Sequence, residues 1–106
     1  MLRTTALALL LLATPALAET PSPAEVAELC SNMEELATTI MTARQENRSM
    51  SQMMVLVEQA DPSVKEVVRA TIQDAYNQPA YSSDRGKERA ISEFGNAVAS
   101  MCYGAF

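Results

Sequence analysis

Two cysteines, Cys30 and Cys102, stand near opposite ends of a short chain, and there are no others. If they pair, one covalent bond ties the first structured segment to the last, and everything between must fold inside that loop. Pairing depends on compartment, and the first residues bear on it. The chain opens MLRTTALALLLLATPALAET, with one basic residue, Arg3, a leucine-rich apolar run from Ala6 to Ala13, then Pro15 and the small-residue triplet ALA before Glu19. This layout predicts a secretory signal peptide over residues 1–18, cut after Ala18. A membrane anchor is the rival reading, but the run is far shorter than the roughly 20 residues that span a bilayer. The exported chain is therefore expected in the periplasm or outside the cell, free of the membrane after cleavage. Two cysteines in a small exported domain are expected to form a disulfide. A redox or metal-binding thiol pair is the alternative, but there is no Cys-x-x-Cys spacing and no histidine. In the chain-entropy picture, closing so long a loop stabilises the fold by about 4 kcal/mol. The core of a domain this small supplies only roughly 3–5 kcal/mol.

Residues 19–22 read as a flexible lead and 23–106 as one helical domain. The first helix is announced by SPAE: Ser22 caps, Pro23 suits the first helical position, and Glu25 stands where a capping box places a carboxylate. Val26, Leu29, Cys30, Met33, Leu36, Ala37, Ile40 and Met41 then recur in steps of three and four, one stripe predicted to face the core. The stripe runs out near Arg44. Asn47 tolerates the left-handed conformation that ends helices, and Ser49 with Gln52 offers a capping box for the next one. The second helix is expected from about Met50 to Ala60. Its MMVLV run is either buried on most sides or partly offered to a partner; a strand is the competing assignment. Asp61 and Pro62 predict the start of a third helix, which should end near Asn77 because Pro79 blocks it. Ser82 or Ser83 begins a fourth, with Ala90, Ile91, Phe94, Ala97, Val98, Met101 and Cys102 as its apolar positions, and the tail Tyr103–Phe106 is expected to fray unless Phe106 docks. With only helices to pack, the fold class is all-α, a small four-helix domain closed by one disulfide between the first and last helices. That bond requires those two helices to run antiparallel.

The same residues carry a resemblance. Cys30, MTARQ at 41–45, Ser49–Met50, Ala75–Tyr76, Pro79, Tyr81, Ala90–Ile91, Phe94 and Cys102 together resemble a group of short secreted two-cysteine helical proteins of proteobacteria and their phages. That group carries a glycine where this chain has Asn47, a swap that suits a left-handed backbone position. The resemblance implies a helical, disulfide-closed, exported protein; it carries over no catalytic or binding residue.

Charge and composition narrow the function. Beyond Arg3 the chain has seven basic and 13 acidic side chains, a formal charge of −6. That balance disfavours nucleic acid and anionic membranes, which select basic patches. No glycine-rich phosphate loop and no nucleophile–base pairing appear, so an enzyme is not expected and no cofactor is implied. Six of the seven methionines lie beyond the leader, and Met50, Met53 and Met54 share one helical face. Core filling is the plain explanation. Two functional ones stand beside it: an adaptable contact surface extending to Val57, and a periplasmic Cu(I) site made of the three thioethers. Tyr76 and Tyr81 flank the third loop, either packing around Pro79 or forming an aromatic contact. Asp84–Arg89 is the densest basic cluster and reads as a solvated helix face. The expectation is a protein-binding module such as an inhibitor, immunity factor or chaperone, meeting another envelope or extracellular protein through Met50, Met53, Met54, Val57, Tyr76 and Tyr81. Nothing in the chain indicates an oligomeric state.

Overall fold

The computed structural model describes residues 20–106, so the expected signal peptide lies outside the described residues. Four α-helices follow one another: α1 (Pro23–Gln45), α2 (Met50–Gln59), α3 (Lys65–Tyr76) and α4 (Asp84–Gly104).

Local chemistry accounts for most of the boundaries. The Ser22 hydroxyl accepts from the Glu25 amide at 3.2 Å, and Pro23 opens α1. Its far end is closed by Asn47 at φ 60°, with the Asn47 amide donating to the Arg44 carbonyl at 3.1 Å and the Arg48 amide to Ala43 at 3.0 Å. This is a Schellman closure with asparagine in the place glycine usually takes. A reciprocal box starts α2: the Gln52 amide donates to Ser49 Oγ and the Ser49 amide to Gln52 Oε1, both at 3.2 Å. Ser83 Oγ accepts from the Gly86 amide at 3.0 Å to start α4, which stays helical through Gly104 and leaves Phe106 exposed. The start of α3 differs from expectation. The Asp61 carboxylate accepts from the amide and hydroxyl of Ser63, at 2.9 and 2.8 Å, and so closes a turn over residues 62–64. The helix proper begins at Lys65, after Val64, with no side-chain cap.

The helix α1 is the spine. Antiparallel to it lies α4, with Cys30 bonded to Cys102 at one end (Cα–Cα 5.5 Å) and Lys87 reaching the Gln45 carbonyl at the other. Packing also joins α3 to α1 and α2 to α3, whereas α3 and α4 barely touch. The core is one-sided. Ile40, Met41, Ala43, Met53, Val57, Val68, Ile72 and Ala75 gather where the second half of α1 meets α2 and α3. Along the seam between α1 and α4 the buried residues are small: Cys30, Ala37 and Gly95. Gly95 is the only buried residue of α4, and a Cβ there would stand 2.6 Å from Thr38 Cγ2. The two helices approach so closely because that position has no side chain.

Candidate functional site

Since α3 and α4 both lean on α1 and barely touch each other, a trough opens between them. It has a volume of about 670 Å³. Its floor is Leu29 and Met33 of α1; one wall is Val64 with Val67, Ala70, Thr71 and Asp74 of α3, and the other is Phe94, Ala97, Val98, Met101 and Cys102 of α4. Asn77 and Gln78 close one end, and the disulfide lies at the other. The spacing on each wall is helical, with steps of three and four that put the lining side chains on one face. Leu29 is 42% exposed, Val67 46% and Met101 71%, high values for large apolar side chains beside one another. Contiguous apolar surface of this kind marks interaction sites more often than isolated apolar residues do. Asp74 is the one charged side chain in the lining.

The closed end of the groove is held by the corner between α1 and α2. Gln45 is almost wholly buried, and both ends of its amide are used. Nε2 donates to the Pro79 carbonyl at 2.9 Å, and Oε1 accepts from the Tyr81 amide at 2.8 Å. Its backbone carbonyl accepts from Lys87 Nζ at 2.6 Å. Next to it, Arg44 Nε donates to the Gln78 carbonyl at 3.0 Å, and its guanidinium stands 5.4 Å from the centre of the Tyr76 ring. The Tyr76 hydroxyl donates to the Arg48 carbonyl at 2.7 Å. Burial holds the Tyr76 phenol above its ordinary pKa, against the opposing pull of Arg44 and Arg48. These contacts fix the chain from Asn77 to Ser83, and with it the angle at which α3 and α4 diverge.

The residues expected to meet a partner are placed differently. Met53 and Val57 are buried in the core, and Met50 and Met54 are half-buried against it. This face does not form the open contact surface expected of it, because α2 turns it onto α3 and the end of α1. The same packing occupies the three thioethers considered for Cu(I). Tyr76 is half-buried and tied to Arg48, while Tyr81 is 44% exposed and bonded only through its backbone amide. In the basic cluster, Lys87 is taken up by Gln45, and Arg85 and Arg89 are exposed. Leu29, Met33, Val98 and Met101, all assigned to core stripes from their spacing, instead line the groove, and Phe94 lines it while also packing against the core. One signal pointed there. The apolar positions of α3 face two ways, Val68, Ile72 and Ala75 into the core and Val67 away from it, which is more than one neighbour can cover.

No family model, curated protein or solved structure matches this chain. The groove must be understood from its own geometry. Among the described residues, no three of the histidine, cysteine, aspartate and glutamate side chains converge to hold a metal ion, and every buried side-chain nitrogen and oxygen has a hydrogen-bond partner. No described helix is long and apolar enough to cross a membrane. What the arrangement offers chemically is apolar contact over a long concave strip with one anionic group near its closed end.

Proposed function

We propose that the protein is a non-enzymatic binding module that holds an apolar segment of another envelope or extracellular protein in the groove between α3 and α4, acting as an inhibitor, immunity factor or chaperone. The observation that carries this reading is the groove itself: Leu29, Val67 and Met101 are exposed and Met33, Phe94 and Val98 half-buried along one strip. A domain this small has little apolar surface to spare, and leaving such residues outside the core costs about 1.5–3 kcal/mol each relative to burying them. A partner that covers them recovers that free energy on binding. Export into an oxidising compartment fits the Cys30–Cys102 bond.

The test is affinity capture from the secreting host, using the oxidised protein beside Val98→Glu and Met101→Glu. A specific envelope protein should be retained by the parent and lost by both variants, with helix content by circular dichroism unchanged. Retention of the same protein by all three would place the contact elsewhere.

A further inference from the structure

The chemistry around the groove narrows what can lie in it. Resting on the groove as the binding site, we infer that its occupant is a single amphipathic helix of a partner protein, apolar along one stripe and carrying a lysine or arginine at the end that meets Asp74.

Shape argues for a helix. From Val64 to Asn77 the α3 wall covers thirteen steps, about 20 Å at the helical rise, and the α4 face from Phe94 to Met101 about 10 Å. Two to four turns of a third helix would therefore lie against both walls, its stripe spaced like theirs. Strand addition needs a sheet edge, and the described residues contain no strand. A proline-rich segment docks on aromatic-lined grooves, and Phe94 is the sole aromatic side chain in this lining.

Charge argues for the cation. Asp74 is exposed, lines the groove and has no ion-pair partner among the described residues. It stands in the last turn of α3, where carbonyl groups carry the negative end of the helix dipole, and that turn has no basic residue to offset it. By helical spacing Lys65 and Arg69 fall on the opposite side of α3 from Val67, and Arg69 is paired with Glu66 at 2.6 Å. Arg44 stands at the closed end without lining the groove, bonded to the Gln78 carbonyl and set over Tyr76. Neither wall contributes a positive lining residue, so a lipid with a carboxylate or phosphate head would be repelled at this end. A second copy of the chain brings the same acidic surplus. A basic amphipathic helix complements both the surface and the charge.

The experiment uses synthetic peptides of about 14 residues, enough for four turns, with leucines at i, i+3, i+4 and i+7. One version carries a terminal lysine on the stripe side and one carries glutamate there; a proline-interrupted version, a fatty acid and an apolar dye serve as controls. Binding to the oxidised protein is read by fluorescence anisotropy, or by displacement of the dye. The lysine peptide should bind about threefold to tenfold more tightly than the glutamate peptide. Asp74→Lys should reverse the order, and Met101→Glu should weaken both. Equal binding of the two peptides, unmoved by Asp74→Lys, overturns the cation. Binding of the proline-interrupted peptide or fatty acid in preference to either helix overturns the helical occupant while leaving the groove as a site. If no probe binds, the dye included, the groove reading falls and this inference with it.

Discussion

Gly95 offers the sharpest quantitative test of the packing. Replacing it with alanine would place a Cβ 2.6 Å from Thr38 Cγ2, where ordinary carbon contacts lie at about 3.5–4.0 Å. The strain falls on Thr38 or on the spacing of α1 and α4. Thr38 is held by its hydroxyl, which donates to the Glu35 carbonyl at 2.9 Å. Overpacking of this kind costs about 1–3 kcal/mol. Against it stands the helix propensity of alanine over glycine, about 1 kcal/mol in favour of the variant. Gly95→Ala should therefore destabilise by about 1 kcal/mol, a fall in Tm of roughly 4–8 °C for a domain of this size. In a Thr38→Ala background the obstructing methyl is gone, the propensity term acts alone, and the same substitution should stabilise by about 1 kcal/mol. The coupling between the two sites is then about 2 kcal/mol. Urea unfolding followed by circular dichroism, with the disulfide intact in all four proteins, measures each corner of the cycle. If Gly95→Ala stabilises the parent as much as the Thr38→Ala variant, the close approach of α1 and α4 is wrong.

Other substitutions test the remaining supports. Cys102→Ser removes a link across a sequence separation of 72 residues, and should lower stability by about 4 kcal/mol in the chain-entropy model, read as the shift in urea midpoint against the oxidised parent. Gln45→Leu leaves the Pro79 carbonyl and Tyr81 amide without their partners; a loss of about 2–3 kcal/mol is expected, with faster amide exchange from Asn77 to Ser83. Asn47→Ala puts a residue averse to left-handed backbone at φ 60° and should cost about 1 kcal/mol, whereas Asn47→Gly should be close to neutral in the same unfolding assay. Tyr76 has a folded pKa raised mainly by burial, so its contribution is intact below the unfolded value near 10 and is lost as pH rises through the folded one. Stability should therefore fall at alkaline pH in the parent and less in Tyr76→Phe, with tyrosinate absorbance in the ultraviolet reporting the delayed ionisation.

Much of the fold was legible in the chain because the signals for it are local. Ser22, Ser49 and Ser83 act within three residues of themselves, and the left-handed Asn47 is set by its own backbone preference. Cysteine pairing needed only the count and the compartment. The start of α3 was missed for an equally local reason: Asp61 had two possible uses, and Ser63 competes for it. The Ser63 bonds also hold the Asp61 carboxyl below its usual pKa. What spacing could not convey was which apolar stripe would find a neighbour. The run from Met53 to Val57 could be read as core or as contact surface, and Met53 and Val57 pack while Val55 stays exposed; Val98 and Met101 looked like core, and they line the groove. A groove assembled from residues near 30, 70 and 100 depends on the angle between α3 and α4. That angle is set by Gln45 acting on a loop more than thirty positions later, and a glutamine at a helix end reads as surface until its partners are known.

The lopsided core has a consequence for when the molecule is fit for use. Large side chains anchor only the half of the fold near the corners, and Cys102 in the groove wall is fastened to the spine by sulfur beside a seam of small residues. A reduced copy would carry every lining residue and yet lack the covalent tie at the end of α4 that borders the groove. Oxidation of the two cysteines tightens that arm, so the shape of the groove is tied to the redox state of the chain.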